Sequence, residues 1–254
     1  MSNALPNVTV VIPQLNGIDD IPACLAALSQ QDYPQELLQI IVVDNGSTDG
    51  SQALLAASPI TYLLCPKPGR ANALNLGLAH AKGSIICTTD ISCIPAKNWI
   101  STIVRLFEDE TIGCVAGDII QRDKAENEAT QFQSRLNYMS PLHAQQRTAL
   151  PYLPYADGAN ASFRKAVFDK VGGFEGDFFK AADVEICYRL LMLTDYKIAF
   201  CKEALVYEAA EADLKSLFKQ RYRIGLGECL LAAKFPLLYA NRHHSKNMKA
   251  YYWQ

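Results

Sequence analysis

The chain of 254 residues contains 50% hydrophobic and 20% charged residues, a composition typical of a globular protein with a sizeable core. No run approaches the roughly 20 apolar residues of a membrane-spanning helix, and the N-terminus lacks the regions of a signal peptide. The eight cysteines show no zinc-ligand spacing, so we predict buried free thiols in a reducing compartment.

The net charge of −2 is unevenly distributed along the chain. Residues 213–254 contain eight Lys and Arg residues against Asp213 and Glu228, a net of +6, so the remainder carries −8. A basic end on an acidic body favours phosphate or an anionic membrane as a partner. A solvated helix face explains the same charges equally well.

The first half of the chain alternates short β-branched runs with helical patterns, which predicts a parallel sheet with right-handed crossovers. The predicted strands are Val8–Ile12, Ile40–Val43, Ile60–Leu64 and Ser84–Thr89, and the predicted helices are Ile21–Leu28, Ser51–Ala57 and Ala71–Ala81. Ligands of such sheets bind at the carboxyl ends of the strands. Polar, turn-rich sequence follows each predicted strand here, and neither a GxGxxG nor a Walker A sequence is present.

The second half is less regular. We predict a polar helix over Glu126–Tyr138, a Tyr/Pro-rich loop over Pro151–Asp157, a turn at Asp157–Arg164 entering a strand or helix, a helix over Asp183–Met192 and a strand over Lys197–Tyr207. Helical spacing returns in the basic segment, at Leu214, Leu217, Phe218 and Tyr222.

The order of these pieces resembles the family 2 glycosyltransferases, which have the GT-A fold. The matching stretches are Val11-Ile12-Pro13, Val42 to Asp49, Arg70 to Asn75, Asp90, Gly158-Ala159-Asn160, Gly172-Gly173-Phe174, Asp183 to Arg189 and Gln220 to Ile224. The resemblance implies an α/β fold with a mainly parallel sheet flanked by helices, and transfer of a sugar, with inversion, from a nucleotide-diphosphate donor. We therefore predict a single domain over residues 1–254. Residues 1–95 would form a Rossmann-like nucleotide-sugar half, residues 96–212 the acceptor and catalytic half, and residues 213–254 a basic amphipathic segment.

The resemblance assigns the nucleotide to Pro13, Asn16, Asp44, Arg70, Asn75 and Asp90. Asp44 follows a buried strand and can accept a hydrogen bond from a nucleobase, which the resemblance implies is uracil. Arg70 precedes a helix, where a guanidinium and free amides together suit a diphosphate. Asn75 lies inside that helix, where Asn is unfavourable, so we expect a specific partner for it. A helix-capping role, the alternative for a strand-end Asp, suits Asp49 better.

Asp183 is the candidate general base. An inverting transfer needs a carboxylate to take the proton of the acceptor hydroxyl, and a helix N-terminus favours an ionised carboxylate. The alternative is that Asp183 and Glu185 only cap the helix, with Arg189 pairing with Glu185 at i,i+4.

Two further segments are predicted to contact the donor or acceptor. Gly158, Ala159 and Asn160 would place backbone and an amide close to the sugar, although Asp-Gly is also a turn signal. Gln220 and Arg223 lie three residues apart on one helix face and would meet the diphosphate or an acceptor; a plain amphipathic helix is the alternative.

Divalent Mg or Mn is the predicted cofactor, held by Asp90, Ser92 and Glu208. Ser92 stands where the family has a second Asp, and a hydroxyl can serve because substrate phosphates and water supply most of the roughly six oxygens. Glu208 would restore the missing carboxylate. The family's Tyr and Glu after the first Pro are Leu15 and Gly17 here, and its acidic residue before the base is Ala182.

We therefore predict a hexosyltransferase-type enzyme that uses a UDP-sugar and acts on a glycan or lipid, as in polysaccharide biosynthesis. We expect a cytoplasmic location at the inner face of the membrane, with peripheral contact through the basic segment, and no nucleic-acid partner. Two alternatives remain: a degenerate member that binds a nucleotide sugar without catalysis, and a nucleotidyltransferase, which would need basic residues in the loop after the first strand.

Overall fold

The computed structural model describes residues 4–122, 127–135 and 153–239. Its first half has the predicted alternation, with every predicted boundary correct to within two residues. The strands are β1 (Val8–Gln14), β2 (Leu38–Asp44), β3 (Thr61–Leu64) and β4 (Ile85–Thr89), and the helices are α1 (Ile21–Ser29), α2 (Ser51–Ala56) and α3 (Arg70–His80). A single 3₁₀ turn, Gln35–Leu37, leads into β2.

The second half contains more regular structure than its sequence indicated. Its elements are β5 (Cys93–Pro95), α4 (Trp99–Leu106), β6 (Ile112–Gln121), α5 (Glu128–Arg135), β7 (Asn160–Arg164), α6 (Lys165–Val171), α7 (Ala182–Leu193), β8 (Lys197–Glu208), α8 (Leu214–Lys234) and α9 (Pro236–Tyr239). The strand and helix predicted around residues 183–207 are confirmed, and the turn after Asp157 enters a strand. The predicted end of the polar helix, the first residues of the Tyr/Pro-rich loop and the basic end over 240–254 lie outside the described residues.

The described strands form one eight-stranded sheet in the order β3-β2-β1-β4-β7-β6-β8-β5. Strands β1 to β4 are mutually parallel, whereas β7 pairs antiparallel with β4, so that Asn160 lies opposite Thr89. The residues before β7 therefore lie at the same rim as the residues after β4. This reversal brings the Gly158 turn to the carboxyl ends of the parallel strands.

Two hydrophobic clusters cover the two faces of the sheet, as alternation along β1 shows. Val10 and Ile12 belong to one cluster, and Val11 belongs to the other. Seven cysteines are buried, Cys229 is exposed, and all eight are free. No helix in the described ranges combines the length and apolarity needed to cross a membrane.

Candidate active site

The loops after β1 and β2 are tied together by a buried polar network around Asp44. Asp44 is 0% exposed, and its Oδ1 accepts from the backbone N–H groups of Gly46 and Ser47, each at 2.8 Å. Its Oδ2 accepts from Gln14 Nε2 at 3.3 Å, and the same nitrogen donates to Ser47 Oγ at 3.0 Å. The Asp44 carboxylate therefore holds the turn after β2 and is closed to solvent, and its contact with a nucleobase stays a prediction.

Asn16 extends this network at the surface. It adopts a left-handed conformation with φ of 54°, donates from its backbone N–H to Ser47 Oγ at 2.9 Å, and accepts from Thr48 N at 2.8 Å through Oδ1. Nearby Asp49 accepts from Ile18 N and Ser51 N, each at 3.0 Å, so it links the two loops as well as opening α2. Pro13 lies half-buried within β1. Nucleotide contact by Asn16 and Pro13 stays a prediction.

Asn75 has the specific partner expected of an Asn inside a helix, but that partner is the protein itself. Its Nδ2 donates to Phe174 O at 2.7 Å, and its Oδ1 accepts from Phe174 N at 2.8 Å. Both polar ends of the amide are thus occupied by backbone 99 residues away. Asn75 thus fixes the loop that leads towards α7, and its contact with the nucleotide stays a prediction.

Arg70 and Asp90 form the central ion pair of the rim. Arg70 opens α3 after Gly69, whose φ of 116° a side chain rarely adopts, and Asp90 directly follows β4. The Arg70 guanidinium donates to Asp90 Oδ1 through NH2 at 2.7 Å and Nε at 3.2 Å. The two side chains are 27% and 33% exposed, so the pair is open to a ligand from the solvent side.

The turn at Gly158 connects this pair to Asp183. A Cβ at Gly158 would lie 2.6 Å from the Arg70 NH1 atom, so only glycine permits this approach. The Gly158 carbonyl accepts from Thr88 Oγ1 at 2.9 Å, and the Gly158 N–H donates to Asp183 Oδ2 at 2.7 Å. Arg70, Gly158 and Asp183 therefore lie side by side at the rim.

Asn160, two residues on, does not face the rim. It is 1% exposed, and its amide is saturated: Nδ2 donates to the carbonyls of Asp118 and Ala204 at 2.7 and 2.8 Å, and Oδ1 accepts from Trp99 Nε1 at 2.8 Å. The Asn160 side chain therefore joins β6, β8 and α4, and its contact with the donor or acceptor stays a prediction. Ala159 is also buried, at 3% exposure, so it offers backbone alone to a ligand.

Asp183 occupies the first turn of α7, after a residue in a strained conformation. Ala181, the N-cap, has φ of 65°, a left-handed value that costs energy for any residue with a side chain. A Cβ on Gly227 of α8 would lie 3.1 Å from the Cβ atoms of Ala181 and Lys180, so α8 packs tightly against this segment. The Asp183 carboxylate thus lies at the N-terminal end of α7, where it accepts from the Gly158 N–H.

Asp157 completes a cluster of acidic residues around Arg70 and was not singled out from the sequence. Burial and then the nearby charge of Asp183 raise the pKa of Asp157 to about 6, although its Oδ1 accepts from Ala159 N at 2.9 Å. Burial lowers the pKa of Arg70, but Asp90, Asp183 and Asp157 outweigh it and leave the pKa above its usual range. The sequence signal for Asp157 was only an Asp-Gly pair, which reads equally well as a turn.

The predicted metal ligands lie close together in space. Cys93 pairs with Glu208 across β5 and β8, so Glu208 lies opposite the residue that follows Ser92. Burial, then the charges of Asp90 and Asp157, raise the pKa of Glu208 to about 8. Within the described ranges, no three His, Cys, Asp or Glu side chains form a group that holds a metal by themselves. An ion at Asp90 would therefore have to take most of its oxygens from a bound phosphate and water.

Gln220 and Arg223 differ in burial although they share one side of α8. Gln220 is half-buried, with its Oε1 inaccessible and without a hydrogen-bond partner among the described residues, whereas Arg223 is exposed. They lie seven and four residues before Gly227, roughly 10 and 6 Å along the helix axis. Their predicted contact with the diphosphate or acceptor stays a prediction.

Known glycosyltransferases are similar to this chain in sequence and in fold. Glycosyltransferase AglE of Haloferax volcanii is 26% identical over 236 residues, which cover 90% of this chain and 75% of AglE. Probable glycosyltransferase YdaM of Bacillus subtilis is 29% identical over 242 residues, which cover 91% of this chain and 57% of YdaM. A solved structure of the mannosyltransferase PcManGT from Pyrobaculum calidifontis, in complex with GDP-Man and Mn2+, superposes with a TM-score of 0.66 at 26% identity. That match covers 86% of this chain and 60% of the mannosyltransferase.

The mixed sheet and its acidic rim place the protein among the GT-A glycosyltransferase folds. Residues 9–172 match the family described as Glycosyl transferase family 2, and the chain belongs to that family. The predicted family and fold are therefore confirmed, and the relatives are glycosyltransferases, the predicted enzyme class. The chain spans only 57% of YdaM and 60% of the mannosyltransferase.

Proposed function

We propose that this protein transfers a sugar from a nucleotide-diphosphate donor, a UDP-sugar, to a hydroxyl group of a glycan or lipid, with inversion at the anomeric carbon. The observation that carries the proposal is the juxtaposition of Asp183 with the Arg70–Asp90 pair, joined through the Gly158 backbone. A base and a diphosphate-binding cation at one open rim are what a direct displacement requires.

The reaction is a single displacement. The acceptor oxygen forms a bond to the anomeric carbon while the bond from that carbon to the diphosphate oxygen breaks, and the nucleoside diphosphate leaves with the electron pair. Asp183 takes the proton of the acceptor hydroxyl as the new bond forms. The Gly158 N–H, at 2.7 Å from Asp183 Oδ2, orients the carboxylate, and Oδ1, which accepts from Val184 N at 3.0 Å, keeps a second lone pair for the acceptor proton.

Arg70 is the proposed diphosphate contact. Its guanidinium lies beside the first turn of α3, an 11-residue helix whose free amides and dipole also attract an anion. Asp90 neutralises this cation before the donor arrives, and the 27% exposure of Arg70 leaves room for a phosphate oxygen to share it.

A divalent cation is proposed at Asp90, with Ser92 and Glu208 as further oxygen ligands; when bound, it would offset negative charge on the leaving diphosphate. Burial and the charge of Asp90 raise the pKa values of both Asp157 and Glu208, and the charge of Asp157 raises that of Glu208 further, so negative charge is concentrated where the cation is proposed. The Mn2+ in the mannosyltransferase PcManGT also supports the proposal.

The test of the function is a thermal-shift panel of nucleotide sugars with and without Mn²⁺, followed by donor hydrolysis and transfer assays. We expect stabilisation by one UDP-sugar and turnover that Asp183→Asn reduces at least about 10³-fold while donor binding is retained. Asp177→Asn, an exposed carboxylate six residues earlier, is the matched control and keeps full activity. Binding without turnover on any acceptor would instead favour a non-catalytic nucleotide-sugar-binding protein.

The metal proposal has its own test. We expect Glu208→Gln to weaken the Mn²⁺ dependence of donor binding, measured as the change in melting temperature across a Mn²⁺ titration. Glu203→Gln, an exposed carboxylate on the same strand, is the control. Unchanged Mn²⁺ dependence in Glu208→Gln would remove Glu208 from the site without affecting the assignment of Asp183.

A further inference from the structure

Helix α8 carries an apolar row on its outer surface. Its members are spaced four residues apart and are unusually exposed for their size: Leu214 at 55%, Phe218 at 73%, Tyr222 at 61% and Leu226 at 37%. Each step of four residues advances the row by about 40° around the helix. The four side chains therefore form one continuous apolar strip along three turns.

A basic row runs parallel to the apolar row. Lys215, Lys219 and Arg223 each follow a member of the apolar row by one position, and all three are exposed. Because consecutive residues are about 100° apart, the two rows lie side by side on the outer half of the helix. Helix α8 contains five Lys and Arg residues and one Glu, so this surface is basic on a chain whose net charge is −2.

The opposite side of α8 is packed on the catalytic half of the protein. Leu217, Gly227 and Leu231 are the buried residues, and Gly227 abuts the segment that leads into α7. Lys234, near the C-terminal end of the helix, donates to Glu185 of α7 at 2.8 Å. The inner side thus holds α8 in place, while both rows face outward.

We infer that the outer surface of α8, formed by the apolar and basic rows, binds an anionic lipid bilayer. A helix lying in the membrane interface buries apolar and aromatic side chains at the boundary of headgroups and acyl chains, and its basic side chains pair with anionic headgroups. Charge complementarity favours this partner over an apolar protein groove, since every exposed cation of the basic row borders the apolar row.

This inference deepens the proposed function, on which it rests, by naming the acceptor class. Roughly one helix diameter, about 10 Å, separates the outer rows from the segment that precedes Asp183. A bilayer against α8 would therefore lie about one helix diameter from the segment that carries the proposed base, which favours an acceptor presented at the membrane surface. The acceptor is then a membrane lipid or a glycan carried on one.

The experiment is co-sedimentation of the full chain with vesicles of phosphatidylcholine alone or of phosphatidylcholine mixed with phosphatidylglycerol. We expect binding to the anionic vesicles that falls as salt is raised. Phe218→Ala/Tyr222→Ala should lower the partition coefficient by at least about tenfold, and Lys215→Gln/Lys219→Gln by about fivefold per lysine. Leu193→Ala, which removes a side chain that is 65% exposed at the end of α7, is the control and should bind as the wild type does.

Three results would overturn the inference: no sedimentation of the wild type, equal salt-insensitive binding to neutral vesicles, or unchanged binding by the Phe218/Tyr222 variant. Self-association in the absence of lipid, lost in that variant, would assign the surface to a protein partner instead. Thermal shift with the soluble donor, run on the same variants, separates this inference from the proposed function. We expect that signal to persist when membrane binding is lost; if donor binding fails in the wild type, the proposed function fails independently.

Discussion

Arg189→Ala should strongly destabilise the protein because it removes one of the two cations that pair with the buried carboxylate of Glu185. Glu185 is 0% exposed, and its two oxygens accept from Arg189 Nε at 2.6 Å and NH2 at 2.7 Å. Arg189 also donates to the carbonyls of Val171 and Gly173 and so fixes the turn after α6. After the substitution, Lys234, at 2.8 Å, would be the one cation among the described residues that still pairs with Glu185.

The expected loss in the free energy of unfolding is about 3–5 kcal/mol, the usual cost of removing one partner from a buried pair. At an m-value of about 3 kcal/mol/M, the urea midpoint would fall by about 1–1.7 M. Arg189→Lys keeps the charge but loses the planar fork, so it should fall between the wild type and Arg189→Ala. Urea denaturation followed by tryptophan fluorescence and far-UV circular dichroism measures all three proteins.

The control is Lys202→Ala, because Lys202 is 71% exposed and lies 4.0 Å from Glu203. An exposed pair of this kind contributes about 0–1 kcal/mol, so the urea midpoint of Lys202→Ala should stay close to that of the wild type. An Arg189→Ala midpoint within the range of this control would refute the reasoning. It would mean that Glu185 finds a replacement for the lost donor at little cost.

Three further substitutions test two buried polar residues, Asn160 and Asp44, and one position, Gly17, at which this chain departs from the family's usual Glu. Asn160→Ala should cost about 2–4 kcal/mol in urea denaturation because it leaves buried Trp99 Nε1 and two carbonyls unpaired; full stability with lost transfer would restore a substrate role. Asp44→Ala should cost about 1–3 kcal/mol of stability, whereas Asp44→Asn should stay near the wild type, because an amide oxygen can still accept from the Gly46 and Ser47 N–H groups. Lost affinity for the nucleotide sugar at unchanged stability would contradict this prediction. Gly17→Glu should cost about 1–3 kcal/mol of stability, because a Cβ there would lie 2.7 Å from Ile91 Cγ2. In a thermal-shift assay, adding Ile91→Ala should restore the melting temperature. An unchanged melting temperature in Gly17→Glu alone would show that the loop moves to accept the side chain at no cost.

Local patterns were sufficient for the first half of the fold. The alternation of apolar strands and helices from β1 to β4 depends on periods of two and 3.6 residues, which a short window of sequence contains. The ion pair of Glu185 and Arg189 was also predicted, as one alternative, from their i,i+4 spacing. In the structure the two side chains lie 2.6 Å apart. Residues 96–121 contain α4 and β6, which were missed because no distinctive turn sequence marks their limits.

Which polar residues face a ligand was decided only by tertiary structure. Asn75 and Asn160 occupy motif positions, yet both ends of each amide are hydrogen-bonded to groups far along the chain, 99 residues away for Asn75 and 42–61 residues away for Asn160. Asp157 joins the acidic cluster because β7 runs antiparallel beside β4, which no local pattern reveals.

The sequence by itself determined the family, the parallel half of the sheet and the position of Asp183 at a helix N-terminus, since these depend on residues close together in the chain. Tertiary structure alone decided that Asp157 joins Arg70, Asp90 and Asp183 at one rim and that Asp44 does not face solvent there. The physical reason is that the burial and the hydrogen bonds of a polar side chain depend on residues that the sheet order brings next to it. These partners are far away along the chain, so no local sequence pattern identifies them.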